Sequence, residues 1–171
     1  KPEFVDPTAL HIHGSIHKKV PHAKCILHVH SKYATALSAL DDPTLPPIDQ
    51  NSMRFFNRVG VYRDFGGMGF EEESEKMATK IGNKKVLLMS NHGVLTAGQT
   101  VAEAFDELYY FERACETYLT ALSTNKKLKI VSDEVAEKTA QEWEDYSTDS
   151  KDLHLKAIRS ILDQEDPSYK N

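Results

Sequence analysis

The sequence predicts an α/β fold followed by an all-helical tail. Short apolar runs typical of buried strands alternate with helical segments through the first 125 residues. From Ser132 onward the apolar residues recur at helical spacing, which predicts two further helices that separate near residues 147–150. We therefore expect a domain over residues 1–125 and a helical C-terminal extension over residues 126–171.

Capping and helix-breaking residues set the expected bounds of the helices. Thr8 is predicted to cap the first helix, and Thr100 and Glu103 form a capping box for a longer one. The four expected helices of the domain cover residues 8–20, 31–41, 71–81 and 100–124. The four expected strands cover residues 24–30, 59–62, 85–90 and 94–98. A Pro-rich loop over 42–53 and a Gly-rich turn over 64–69 complete this prediction.

Charge and hydropathy narrow the classes of partner. The formal net charge of −5 speaks against nucleic acid and anionic membranes as partners. No apolar run approaches the roughly 20 residues that span a bilayer. Cys25 and Cys115 each lie among apolar neighbours and are expected to be buried free thiols rather than a disulfide, which favours a cytoplasmic protein.

Two His-x-His pairs occur, and the predicted elements distinguish them. His11 and His13 lie in a helix, where side chains two positions apart point roughly 200° away from each other. His28 and His30 lie at the end of a strand, where such side chains share a face. The strand pair is able to take two adjacent positions around a metal ion. The alternative is two hydrogen-bonded histidines on a half-buried face.

His92 is the third candidate ligand. It follows a second apolar strand and precedes Gly93, which places it at the carboxyl edge of a strand, where ligands gather in open sheets. Three histidines from two strand ends leave a metal ion open to water or substrate. Asn-His-Gly alone also suits an ordinary turn. His13 and His17, four positions apart in the helix, are more typical of polar helix surface than of a second metal site.

Two stretches, HVHSKYATALSAL and SNHGVLTAGQTVAEAFDELYYFERACETYL, resemble the class II aldolase/adducin family, and the likeness runs from about Pro7 to Leu122. The family includes sugar-phosphate aldolases, an epimerase, decarboxylases of aromatic acids and the cytoskeletal protein adducin. The resemblance implies a central β-sheet flanked by helices and cytoplasmic homotetramers with active sites near subunit contacts. It also implies that His28, His30 and His92 are the metal ligands.

The sequence departs from the family in two ways. Sugar-phosphate aldolases have a catalytic glutamate four residues before the equivalent of His13, whereas this sequence has Ala9 there. Family members also begin with a segment that includes a phosphate-binding turn, so the chain is expected to be incomplete as a folding unit. His11 is the candidate proton donor nearest to position 9, where the family has its glutamate, with a surface histidine as the alternative. Tyr33 is a second candidate, with a packed aromatic as the alternative.

Two functional hypotheses follow. The first is a metal-dependent carbon–carbon lyase, of decarboxylase or aldolase type, that acts on a small hydroxy or keto carboxylate or a sugar-derived substrate. The second is a non-catalytic adducin-like binding or scaffold protein. The three histidines favour the lyase and Ala9 favours the scaffold. Zn²⁺ is the expected ion, with Mn²⁺ as the alternative. A homotetramer is expected, with added support from an aromatic run, 109–111, that we expect to be exposed.

Overall fold

A mixed four-stranded sheet forms the centre of the molecule in the computed structural model, which describes residues 5–146 and 149–170. The strands are β1 (Cys25–Val29), β2 (Val59–Tyr62), β3 (Val86–Met89) and β4 (Gly93–Gly98). The helices of the domain are α1 (Pro7–Lys19), α2 (Lys32–Ser38), α3 (Gln50–Arg54), α4 (Glu71–Ile81) and α5 (Val101–Ser123). The tail holds α6 (Asp133–Asp145), α7 (Asp149–Glu165) and a short 3₁₀ turn (Pro167–Lys170).

The sheet has the order β1-β4-β3-β2. The β1–β4 and β3–β4 pairs are antiparallel, and β2 runs parallel to β3. β3 and β4 are joined by a tight turn, and β4 brings the end of β1 against that turn, because Val29 pairs with Val94 and Met89 pairs with Gly93. The prediction of a central sheet flanked by helices is confirmed.

Each face of the sheet packs against its own layer of helices. On one face α1 and α4 cover an apolar cluster that includes Ile16, Met77 and Leu95. On the other face α2 and α5 cover a second cluster that includes Leu37 and Phe111. The buried strands β3 and β4 are enclosed on both faces, which explains their continuous apolar runs.

Two local predictions are wrong. Asp6 rather than Thr8 caps α1, because the Asp6 carboxylate accepts the Thr8 N–H at 2.8 Å. The expected loop over residues 42–53 contains the start of α3, whose capping box pairs Asp49 with Ser52. An Asp-x-x-Ser box satisfies free backbone N–H groups at the start of this helix. A helix of five residues is too short for apolar periodicity to reveal.

The two tail helices pack on the domain, α6 against α3 and α7 against α5. Residues 147 and 148, in the expected break between them, lie outside the described part of the chain. The expected exposure of the aromatic run 109–111 is correct for Tyr109, which is 39% exposed, and wrong for the other two residues. Phe111 is fully buried, and the Tyr110 ring packs under the tail beside Trp143. Tyr110 is thus covered by the tail helix α6, a contact that the sequence alone did not reveal.

The prediction that both cysteines are buried free thiols is confirmed in part. Both cysteines are free, with Cys115 buried and Cys25 half-buried, so full burial was wrong for Cys25. Burial raises the pKa of both thiols. Among the described residues, no helix is both long enough and apolar enough to cross a membrane.

Candidate metal centre

Two strand ends bring three histidines together. His28 lies near the end of β1 and His30 directly follows that strand, so both side chains leave the same face. His92 lies in the turn that joins β3 to β4. Because β4 pairs with both β1 and β3, this turn lies beside the end of β1.

The three imidazoles converge through the same ring atom. The Nε2 atom of His92 lies 3.0 Å from Nε2 of His28 and 3.1 Å from Nε2 of His30. The possible ligand atoms of the three side chains all lie within 4.8 Å of one another. His28 and His92 are half-buried and His30 is exposed, which leaves one side of the group open.

This arrangement fits a divalent metal ion. Nitrogen ligands about 2.0–2.1 Å from a tetrahedral zinc ion lie roughly 3.3 Å from one another, close to the separations observed here. The Nδ1 atom of His28 lies 2.9 Å from the Val94 carbonyl oxygen, so it carries the proton of the neutral ring and its Nε2 lone pair is free. A metal ion is able to accept all three converging lone pairs at once, whereas a hydrogen bond between two of the rings needs a proton on one of the two Nε2 atoms, which removes that lone pair.

Burial keeps two of these imidazoles in the neutral, metal-binding form. Desolvation lowers the pKa of His28, with a further lowering from the neighbouring histidines. Desolvation, followed by the nearby charges of His28 and His30, lowers the pKa of His92 to about 4. Both rings are therefore neutral near pH 7 and offer lone pairs rather than positive charge.

The turn that carries His92 depends on two special residues. Asn91 has φ of 55°, a left-handed conformation that asparagine adopts more readily than most residues. Gly93 leaves no room for a side chain, because a Cβ there would lie 2.6 Å from the Val29 carbonyl oxygen and 2.9 Å from His30 Cδ2. The Asn-His-Gly sequence thus combines a tight turn with a close approach to β1.

The histidines open into a cavity of about 620 Å³. Ala9 and His13, one helical turn apart on α1, line this cavity together with the three histidines. Asp6 also lines it, but its carboxylate accepts hydrogen bonds from both the N–H and the hydroxyl of Thr8. These hydrogen bonds lower the pKa of Asp6, so its carboxylate serves as the helix cap.

The other predicted site residues lie elsewhere. The His11 ring packs edge-on against Phe70, with ring centroids 5.5 Å apart, and does not line the cavity. Tyr33 packs against the second apolar cluster and also lies outside the cavity lining. His17 contacts the Ala23 carbonyl oxygen through Nδ1, and its ring centroid is 6.3 Å from that of His13. His13, and not His11, therefore lines the same cavity as the three histidines.

The sequence analysis missed three residues around the centre. Phe65 packs on His92, with ring centroids 4.0 Å apart. Glu73 binds the Gly-rich turn that carries Phe65. Glu112, on α5, accepts hydrogen bonds from the Ser31 hydroxyl and from two backbone N–H groups at the start of α2. The position of His13 in the cavity was predictable from the sequence, because His13 lies four positions after Ala9 and so shares its helix face.

Comparison with known proteins agrees with this fold. The model of the class II aldolase and adducin N-terminal domain matches residues 3–119. A putative aldolase class 2 protein of Caulobacter vibrioides is 31% identical over 137 residues, which cover 80% of this chain and 52% of that relative. The decarboxylase NovR of Streptomyces niveus is 30% identical over 139 residues, covering 81% of this chain and 51% of NovR. The chain spans about half the length of these curated relatives.

A solved structure extends the likeness beyond the matched segment. The crystal structure of an aldolase II superfamily protein from Pseudomonas syringae superposes with a TM-score of 0.86 at 29% sequence identity. The superposition covers 98% of this chain, tail helices included, and 66% of that protein. On the family match and the shared fold, the chain belongs to the class II aldolase and adducin family.

Proposed function

We propose that His28, His30 and His92 hold one divalent metal ion and that the protein is a metal-dependent carbon–carbon lyase. The observation that supports this most directly is that Nε2 of His92 lies 3.0 Å from Nε2 of His28 and 3.1 Å from Nε2 of His30, in a group open on one side. Three neutral imidazoles leave the charge of the ion intact, and such an ion polarises a substrate oxygen next to a breaking bond. Zn²⁺ is the preferred ion and Mn²⁺ the alternative.

The metal content of the purified protein tests the first part. We expect one divalent ion per chain in the unaltered protein and none in the His28→Ala/His30→Ala variant, because a single remaining imidazole binds weakly. His11→Ala is the matched control, since this histidine lies outside the cavity, and it should keep the full metal content. Equal metal in the double variant and the unaltered protein would show that the ion binds elsewhere.

The proposed substrate is a small hydroxy or keto carboxylate, with decarboxylation ahead of aldol cleavage. In decarboxylation the bond to the carboxylate carbon breaks, CO₂ leaves, and the electron pair stays on the substrate as an enolate that then takes a proton. Aldol cleavage also needs a base for the hydroxyl proton, a contribution typically worth about 10²–10⁴-fold in rate. Ala9 provides no such base. The decarboxylase name of one relative adds support.

A substrate panel tests the reaction. Keto acids, hydroxy-aromatic acids and sugar phosphates are incubated with the protein, with and without a chelator, and both CO₂ and aldehyde products are measured. We expect chelator-sensitive release of CO₂ from a member of the first two classes. Chelator-sensitive cleavage of a sugar phosphate at ordinary enzyme rates would reverse the order of the two reactions.

His13 and His11 are the candidates for delivery of the final proton. His13 lines the cavity, half-buried, and burial followed by the charge of His17 lowers its pKa. His11 packs against Phe70 outside it. We expect His13→Ala to lower turnover about 10²-fold or more while the metal content is retained. His11→Ala serves as the comparison, and a larger loss in that variant would restore His11 as the donor.

The second candidate function is an adducin-like scaffold. The observation that favours it is Ala9, since the one carboxylate among the described cavity-lining residues, Asp6, serves as a helix cap. The two functions are distinguished by the same panel. A protein that binds its metal ion yet turns over no member of the panel, with or without chelator, supports the scaffold.

A further inference from the structure

The Gly-rich segment, residues 63–70, lies over one side of the histidine cavity. Gly67 and Met68 line the cavity, and the Phe65 ring lies on His92 at an interplanar angle of 46°. This segment has no helix or strand of its own, so contacts with other elements set its position.

Glu73, in the first turn of α4, supplies the main polar contact. One oxygen of its carboxylate accepts the Gly66 N–H at 2.8 Å, and the other accepts the Gly69 N–H at 3.0 Å. Each N–H bonded by an ionised carboxylate forms a charge-assisted hydrogen bond, which is stronger than a neutral one. A single side chain thus holds both ends of a four-residue bend.

The bend also fits tightly against α1. Gly69 has φ of 78°, and a Cβ there would lie 2.6 Å from Ile12 Cδ1. The backbone therefore approaches α1 as closely as glycine permits. With Glu73 on one side and Ile12 on the other, the segment is fixed with the Phe65 ring facing the histidines.

His92 depends on this contact more than His28 does. The His28 ring is oriented by the hydrogen bond between its Nδ1 and the Val94 carbonyl oxygen. Among the described residues, no hydrogen bond reaches Nδ1 of His92, and the ring of His92 packs against Phe65, His28 and His30. The nearby charge of Glu73 acts on the pKa of His92, which it raises, but does not orient the ring. Ring packing by Phe65 takes the place of the hydrogen bond that usually orients a metal-binding imidazole.

We propose that Glu73 is a positioning residue of the histidine centre, acting through the Gly-rich segment to hold Phe65 against His92. The role of the segment in metal binding rests on the proposed function. The packing of Phe65 on His92 does not, and it is measurable without any metal ion.

The first test uses the metal-free protein and NMR spectroscopy. In the unaltered protein we expect the ring current of Phe65 to shift the side-chain proton signals of His92, and the Gly66 and Gly69 amides to exchange slowly with solvent, because of the ring contact and the two hydrogen bonds to Glu73. We expect Glu73→Ala to remove both the shift and the protection. Glu72→Gln is the matched control, because Glu72 pairs with Lys76 at an exposed position, and it should change neither. An unaltered His92 shift in Glu73→Ala would overturn the proposal.

The second test measures metal binding by titration with Co²⁺ and competition with Zn²⁺. We expect Glu73→Ala and Phe65→Leu to weaken binding about 10–100-fold and to change the visible absorption of bound Co²⁺. Glu72→Gln should match the unaltered protein. Unchanged affinity and spectrum in both test variants would also overturn the positioning role. If the unaltered protein binds neither ion, the proposed function fails, and the NMR result alone decides the role of Glu73.

Discussion

At the scale of single residues, the addition of one methyl group at Gly93 should disrupt both metal binding and stability. We predict that Gly93→Ala abolishes stoichiometric metal binding and lowers the free energy of unfolding by about 1–3 kcal/mol. The added methyl would lie 2.6 Å from the Val29 carbonyl oxygen and 2.9 Å from His30 Cδ2, so β1 and the turn must separate. Elemental analysis and chemical denaturation measure the two effects.

Gly14 provides the matched control for that substitution. It lies within α1, and a Cβ there meets no atom within 4 Å. Gly14→Ala should leave metal binding intact and raise stability by about 0.5–1 kcal/mol, because alanine loses less backbone entropy in a helix. Equal effects of the two substitutions would contradict the steric explanation.

The juxtaposition of the three candidate ligands was predictable from the sequence, but their supporting residues were not. His28 and His30 have a spacing that suits a shared ion only in a strand, and His92 follows a second apolar strand. That pattern left a hydrogen-bonded pair open as the alternative, and the family resemblance supplied the set of three. Phe65 and Glu73 lie far along the chain from His28 and reach the site through a turn without periodic pattern. Such contacts depend on the tertiary path of the loop, which sequence spacing does not specify.

At the scale of elements, α2 depends on a side chain from α5. The N-cap Ser31 makes no hydrogen bond from its side chain to the helix N-terminus. Instead the Glu112 carboxylate accepts the Tyr33 and Ala34 N–H groups, each at 2.8 Å, and the Ser31 hydroxyl at 2.7 Å. The negative charge also suits the positive end of the helix dipole. Glu112 thus joins α5 to the segment that directly follows His30.

We predict that Glu112→Ala lowers the free energy of unfolding by about 1–3 kcal/mol, because three donors lose their acceptor. Glu116→Ala is the control one turn later, where the carboxylate pairs with the exposed Arg113. Loss of that surface pair should cost less than about 1 kcal/mol. Urea denaturation of both variants gives the comparison. Equal losses would mean that the cap contributes no more than a surface ion pair.

The accuracy of the element predictions followed the length and pattern of each element. The strand over residues 59–62 and the helix over 71–81 have the predicted bounds, since apolar runs and a glycine stop mark them clearly. The five-residue α3 has no such pattern and was missed. The α1 cap was misplaced because Asp6 and Thr8 both suit the N-cap position, although Pro7, which suits the first position of a helix, favours Asp6.

At the scale of the whole molecule, Arg54 links the domain to its tail. Its guanidinium, buried between α3 and α5, pairs with Asp106 at 2.7 Å and with Glu107 at 3.0 Å. The same group lies 5.2 Å from the ring centroid of Trp143 on α6, and Asp106 also contacts His154 on α7 at 2.8 Å. The pKa of Arg54 is raised by these carboxylates despite its burial.

We predict that Arg54→Met lowers the free energy of unfolding by about 3 kcal/mol, because Asp106 and Glu107 lose the cation buried between them. The loss lies at the lower end for a buried pair, since Asp106 keeps His154 and Glu107 keeps Lys151. Arg63→Met, at an exposed pair with Asp42, is the control and should cost less than about 1 kcal/mol. Hydrogen exchange should show that α6 and α7 lose protection first. A tail that stays protected while the domain opens would contradict the proposed link.

The tail helices pack closely on the domain rather than extending away from it. Residues 1–125 and 126–171 were expected to be a domain and a helical extension, and we retain that division as a proposal. The tail buries Ala136 and Ala140 and covers Arg54, so it completes the helical layer over α3 and α5. Sequence alone showed that the tail is helical but not which surface it covers.

The last prediction concerns assembly. Three large apolar side chains of α7 remain exposed after the tail has packed: Leu153 at 64%, Ile161 at 50% and Leu162 at 43%. Leu153 lies about 180° around the helix from Leu162, so only Ile161 and Leu162 are neighbours that suit contact with another protein surface. We expect a homo-oligomer, with a tetramer as the preferred state, so light scattering at micromolar concentration should give a mass well above the 19.3 kDa of one chain. A single species near 19.3 kDa at every concentration would contradict this prediction.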